Sequence, residues 1–335
     1  MAESQRVGQQ IGRYRISRRI GRGGLGEVYL AEDVRLQRQV AIKTFLTQPG
    51  QEEISNFSAR ARQIALLDHP HLVPVFDFGT DEAEPHPIQY MVTKYMPGGS
   101  LRDRHPKGTQ LPLMTVISYV RQVAGALQYA HEKDTLHGNL KPSKFLLNER
   151  GDILLSDIGE LALLQGDTEN VMGTAAYMAP EQLQAKSQAA SDQYALGIIV
   201  YEWLTGAAPF SGRSPMDVAI QHSNTPPPSL RASNPALSPY VEEVVFHALA
   251  KDPKDRFASV QAFANALASA AGALRGATAD ETLIARPGTP GARGDDEVRS
   301  KAIPLPSPGL PAEPGGAERS WSPPPGHAQP NACSR

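Results

Sequence analysis

The chain is 335 residues long, 40% hydrophobic, and carries 33 basic against 35 acidic side chains for a formal net charge of −2. That length and apolar content suffice for one large or two ordinary domains and exclude a chain disordered throughout. The near balance of charge leaves no global field to recruit nucleic acid or an anionic membrane. The single cysteine, Cys333, excludes an internal disulfide or a thiolate metal cluster, and a reducing cytoplasm is the compartment it predicts. Residues 1–19 lack the apolar core of a signal peptide. The most apolar segment, 194–204, is too short to span a bilayer and contains Glu202, so a soluble protein without a membrane span is expected.

In chain order, residues 14–20, 26–32 and 39–45 alternate β-branched and aromatic residues between Gly-rich or charged breaks, which predicts an antiparallel meander. Helical spacing follows over 54–67, then a strand pair over 71–78 and 88–95. From residue 113 onward amphipathic segments dominate, at 115–133, 191–205, 215–221, 239–249 and 260–270, with a hairpin-like stretch at 146–156. The result is an α+β chain, sheet-rich in front and helix-rich behind. After about residue 273 the composition turns to Pro, Gly, Ser and Ala, with too few large apolar residues to offset the entropy of ordering. A disordered tail over 273–335 with polyproline II character is expected. Pro308-Gly309-Leu310-Pro311 within it matches P-x-x-P and could dock to an aromatic groove, although proline-rich tails produce such matches by chance.

Two motifs in the first part point to phosphate chemistry. Gly21-Arg22-Gly23-Gly24-Leu25-Gly26-Glu27-Val28 fits G-x-G-x-x-G-x-V, in which glycines let backbone N–H groups approach a polyphosphate. A dinucleotide-binding turn would join a strand to a helix, whereas strand-like sequence lies on both sides here; a plain Gly-rich turn is the other reading. The next strand ends in Val40-Ala41-Ile42-Lys43, which places an ammonium within reach of phosphates, though a lone strand lysine is commonly just solvated. Further along come Asp157-Ile158-Gly159, then Gly173-Thr174-Ala175-Ala176-Tyr177-Met178-Ala179-Pro180-Glu181, Asp192 opening an apolar helix, and Arg256 in Lys251-Asp252-Pro253-Lys254-Asp255-Arg256-Phe257.

Each piece alone is weak, but in this order and spacing, over roughly residues 14–270, the chain resembles the protein kinase family. The Gly-Thr-x-x-Tyr-x-Ala-Pro-Glu form, and His69-Pro70 after the first helix, make it similar to bacterial Ser/Thr protein kinases. The resemblance implies a bilobal fold over residues 14–272, with a β-rich N-lobe to about 96 and a helical C-lobe from about 97. It implies ATP as the nucleotide, with Ile20, Gly21, Gly23, Gly26 and Val28 covering it and Ala41 and Leu146 sandwiching the adenine. Thr93 would be the gatekeeper, Lys94 and Met96 the hinge, Lys43 the phosphate ligand and Asp157 the metal ligand. Asp192 would anchor the catalytic-loop backbone, and Glu181 would pair with Arg256.

The catalytic positions depart from the family's pattern. Where the family reads H-R-D-L-K-x-x-N, this chain reads His137-Gly138-Asn139-Leu140-Lys141-Pro142-Ser143-Lys144. Asn139 replaces the carboxylate that accepts the substrate proton, and an amide has no basic lone pair near neutral pH. Lys141 is retained. Lys144 replaces a metal-ligating asparagine and would repel a second ion, so one Mg²⁺ or Mn²⁺ rather than two is expected. Either Lys144 pairs with Asp157 or a phosphate in place of a metal charge, or the site has drifted. Alignment puts Arg60 at the position of the helix glutamate, which would leave Lys43 without its usual partner and facing a like charge. Gly138 removes the cation that usually receives an activation-loop phosphate, which makes Thr168 a poor switch, while Thr174 is a candidate near the substrate platform.

Three readings stand side by side: a pseudokinase that accepts ATP and works by binding a protein partner, an active Ser/Thr protein kinase of low turnover acting on protein hydroxyls, and a scaffold that binds no nucleotide. The intact glycine loop weighs against the last. A homodimer through the N-lobe, as in similar bacterial kinases, is a further implication of the resemblance.

Overall fold

The computed structural model describes residues 6–23, 26–45, 51–82, 87–163 and 175–281. Gly24 and Leu25, Thr168, Thr174, the Pro308–Pro311 match and Cys333 lie outside them. Strands β1 (Gln10–Ile11), β2 (Tyr14–Gly23), β3 (Gly26–Asp33), β4 (Arg38–Phe45), β5 (Val75–Asp81) and β6 (Ile88–Lys94) form one antiparallel sheet in the order β1-β2-β3-β4-β6-β5. The pleat divides each strand between two faces. Tyr14, Ile16, Tyr29, Ala31, Val40, Ile42 and Val92 share one buried cluster, whereas Val28, Ala41, Lys43 and Thr93 alternate with them and line a cleft.

The meander follows the expectation closely, and the second strand pair is shorter than expected at its start. Residues 71–73 pair across to the other lobe instead: Leu155 N–H donates to the His71 carbonyl at 2.8 Å and Val73 N–H to the Leu155 carbonyl at 3.0 Å. Pro74 then has no N–H for a ladder, and β5 begins at Val75. Helix α1 (Gln51–Ala65) packs Phe57, Ala61 and Ile64 inward.

The second lobe is built on α3 (Leu113–His131), whose Val116, Val120, Val123 and Leu127 are fully buried, and on α5 (Ala189–Thr205). From Ser191 to Thr205 every residue of α5 is buried, so this helix is enclosed on all sides and is not the amphipathic helix that was expected. The short α2 (Leu101–Arg104) opens with a Ser100–Asp103 capping box. Between it and α5 lie the two-stranded β7 (Phe145–Leu147) and β8 (Ile153–Leu155), then α4 (Glu160–Leu163). Helices α6 (Pro215–Asn224), α7 (Leu230–Ser233), α8 (Pro239–Ala248) and α9 (Val260–Glu281) complete the lobe. The last of these continues past residue 272, where composition had placed the end of the domain. Among the described residues no helix is long and apolar enough to cross a membrane. Glu202, on α5, is buried and paired with Arg102 at 2.8 Å, both joined by the Tyr177 hydroxyl.

Candidate active site

Register in the sheet sets the roof of the site. Val28 stands opposite Lys43, Lys43 opposite Met91, and Ala41 opposite Thr93, so these side chains emerge on one face. They cover a cleft of about 650 Å³ whose lining also includes Ile20, Gly21, Gly23 and Gly26 above, Lys94 and Met96 at the rear, and Asn139, Lys141, Lys144, Leu146 and Asp157 below. At Gly26 a Cβ would fall 1.8 Å from the Thr44 carbonyl oxygen, so the close approach of β3 and β4 admits only glycine. The Lys94 N–H donates to the Pro74 carbonyl at 3.0 Å and is therefore not free to meet a ligand.

Asp192, buried at the start of α5, holds the loop beneath the cleft. Its carboxylate accepts from the His137 N–H at 2.9 Å, the Gly138 N–H at 2.8 Å and the His131 ring at 2.8 Å. Burial opposes its charge, yet these donors and the neighbouring imidazoles keep the carboxyl below its ordinary range. Gly138 takes a left-handed backbone, φ +74°, which glycine adopts without strain, and its carbonyl accepts from the Gln182 side chain at 2.9 Å. Asn139 is 8% exposed, and its Oδ1 is buried without a hydrogen-bond partner among the described residues. Asp157 also has a left-handed backbone, φ +60°, unusual for a residue with a side chain and the kind of strain that collects at functional sites.

Four charged side chains meet at the inner end of the cleft. The Lys144 ammonium hydrogen-bonds Asp157 Oδ2 and lies 3.6 Å from Glu160. Lys43 pairs with Glu160 and lies 3.5 Å from Asp157 Oδ1. Burial alone would push the Asp157 carboxyl up, but the two ammoniums hold it far below the carboxylate range; Lys144, which burial would push down, is held above the ordinary lysine value by the two carboxylates. Lys43 thus has a carboxylate partner, though not from α1. Arg60 lies half-buried on α1, and the partner comes instead from Glu160, 3% exposed at the first turn of α4, which packs against α1. Glu160 was not legible as a site residue; the one available signal was its place three residues after Asp157, across a turn in which the Glu160 N–H donates to the Asp157 carbonyl at 3.3 Å.

The arrangement suits an anionic ligand better than a pair of cations. A divalent ion beside Lys144 would meet the repulsion of that ammonium together with the attraction of Asp157 and Glu160. Lys144 offers no lone pair at the position of a metal-ligating amide.

Beneath the cleft, Arg256 grips Glu181 with two N–H···O bonds of 2.8 Å each, and Ser191 adds a third donor to the same carboxylate at 2.7 Å. Burial would raise the Glu181 carboxyl, but these bonds keep it lowered.

Residues 14–267 match the protein kinase domain model. The serine/threonine-protein kinase PrkC of Bacillus subtilis is 35% identical over 263 residues, which cover 76% of this chain and 40% of that protein. The serine/threonine-protein kinase PknB of Mycobacterium tuberculosis is 36% identical over 256 residues, 73% of this chain and 41% of that one. Among solved structures, the kinase domain of Mycobacterium tuberculosis PknI is similar at a TM-score of 0.63 and 29% identity, covering 80% of this chain and all of that one. The chain belongs to the protein kinase domain family and has its fold, a β-rich lobe over a helical one; members of that family use ATP and a divalent metal. It spans about two fifths of the length of these curated relatives.

Proposed function

We propose that this chain is a nucleotide-binding protein kinase domain with impaired phosphoryl transfer, which acts chiefly by engaging a protein partner. The observation that carries this reading is the seat of Lys144 on Asp157 beside Asn139. The residue that should coordinate metal is occupied by an ammonium, and the residue that should accept the substrate proton is an amide. Loss of a general base by itself costs a factor of about 10² to 10⁴. The binding half of the machinery is complete: Ala41 and Leu146 would enclose the adenine, the Lys94 carbonyl and Met96 N–H would hold its edge next to Thr93, and Gly21, Gly23, Gly26 and Lys43 would receive the phosphates.

A second reading, a slow Ser/Thr kinase, is favoured by the carboxylate that Glu160 supplies to Lys43 and by Asn139 Oδ1, which has no hydrogen-bond partner among the described residues and could orient a hydroxyl. Positioning alone carries much of phosphoryl transfer. Intact mass after incubation with ATP, Mg²⁺ or Mn²⁺ and a generic protein substrate decides between them, beside an Asp157→Ala control. The expected result is no added phosphate; phosphate added by the wild type and absent from the control would establish the slow kinase.

Nucleotide binding should also depend on pH through Lys141. Burial pushes this ammonium down to about 8, with Lys144 adding repulsion. Its charge is therefore present at pH 7 and lost as pH climbs past 8, and affinity for ATP should fall with it, by up to about tenfold per pH unit above 8. Titrations at pH 7 and pH 9 check this: Lys141→Met should bind more weakly at pH 7 and show no such fall. A wild-type affinity flat across that range would remove Lys141 from the phosphate site.

A further inference from the structure

The inner end of the cleft has the wrong charge for a metal and the right charge for a bare polyphosphate. Both oxygens of Asp157 already meet ammoniums, Oδ2 that of Lys144 and Oδ1 that of Lys43 at 3.5 Å. Among the described residues, no three His, Cys, Asp or Glu side chains are grouped so as to hold a metal ion. Three lysines, Lys43, Lys141 and Lys144, line the cleft around two carboxylates, Asp157 and Glu160, because Asn139 carries no charge. The group is net positive by one charge at neutral pH. A site with carboxylates in excess needs metal ions to attract a polyphosphate; this one does not, and a divalent ion brought by the ligand would be set against Lys144.

We propose that this cleft binds a nucleoside triphosphate without a divalent metal, the ammonium of Lys144 taking the place of the cation between Asp157 and the phosphate oxygens. The proposal rests on the nucleotide-binding reading above and specifies its chemistry: the ligand is the metal-free nucleotide. Glu160 makes the arrangement stable before ligand arrives. It is 3% exposed, and its carboxylate faces both Lys43 and Lys144, so neither half-buried ammonium stands against the other uncompensated. Phosphate oxygens entering the cleft would then share these lysines without any metal to organise them.

The test is titration of the purified full chain with ATP, followed by calorimetry and by thermal shift, once in EDTA and once in millimolar Mg²⁺. The expected dissociation constant in EDTA is equal to or below that in Mg²⁺. Lys144→Asn, with thermal unfolding as a check that it folds, should bind at least tenfold more weakly in EDTA than in Mg²⁺. Wild-type binding that is tenfold or more tighter in Mg²⁺ overturns the proposal and leaves the nucleotide reading intact, and this arm does not depend on the variant. A Lys144→Asn protein that folds and keeps the wild type's indifference to metal also overturns it, since the ammonium would then not be the replacing cation. Absence of binding in both buffers overturns the nucleotide reading itself.

Discussion

Arg256→Ala is expected to destabilise the domain by about 3–5 kcal/mol, the cost of removing one partner from a buried ion pair. No part of the Arg256 side chain is exposed. Besides its two bonds to Glu181, its guanidinium donates to the carbonyls of Ala250, Ala190 and Lys251 and lies 4.7 Å from the centre of the Tyr194 ring. The alanine variant leaves all three carbonyls without that donor and leaves the Glu181 carboxylate, 7% exposed as a residue, with Ser191 as its remaining side-chain donor. For a domain of this size the midpoint of thermal unfolding should drop by about 2–4 °C per kcal/mol. Lysine should rescue little, because a single ammonium cannot reproduce the forked bonds. The pH dependence has a defined sign. The Glu181 carboxyl is lowered in the folded state, so its contribution is complete above the unfolded carboxylate range and fades as pH falls through and below about 4. Arg256→Ala should therefore lose least, relative to wild type, in acid. A midpoint shift below 3 °C at pH 7 would mean that the pair adds specificity rather than stability.

The same residues show what sequence could and could not reveal. The Glu181–Arg256 pair and the Asp192 anchor are separated by tens of residues, yet each was readable because its partner positions belong to a recurrent pattern. The period-two alternation of β3 and β4 was enough to send Ala41 and Lys43 to one face and Val40 and Ile42 to the other. Strand β1 is two residues long and paired only to β2, which is too short to leave a periodic signal. The helix α1 begins at Gln51, ahead of the first apolar residue, because its opening turn is polar and amphipathic spacing cannot mark it. At the other end, α9 runs to Glu281 through an Ala-rich stretch in which no proline occurs before Pro287, and alanine is the residue that most favours a helix. Glu160 was hidden for a different reason. Pattern matching identifies a missing residue by position, but the group that replaces it is chosen by the tertiary path, here the turn that brings α4 against α1 beside Lys43.

Restoring the family's chemistry should produce the largest change in activity. Asn139→Asp with Lys144→Asn is expected to raise the rate of phosphoryl transfer by about 10² to 10⁴, the contribution of a general base. The geometry favours the first substitution, since a carboxylate has the shape of the amide it replaces and Asn139 Oδ1 has no hydrogen-bond partner among the described residues to be lost. Lys141 lines the same cleft and would offer the new carboxylate a nearby cation. The second substitution releases Asp157 from Lys144 and returns an oxygen ligand to the metal position. Neither should suffice alone. A base without a way to neutralise the phosphates has little to act on, and a metal ligand without a base leaves the hydroxyl proton in place, so the double variant should exceed the product of the single effects. Single-turnover transfer to a generic protein substrate, with Asp157→Ala built into the double variant as the control, measures it. A double variant that folds, binds ATP and still transfers no faster than wild type would place any block to transfer elsewhere, Gly138 being the next position to test, since its carbonyl ties this loop to Gln182.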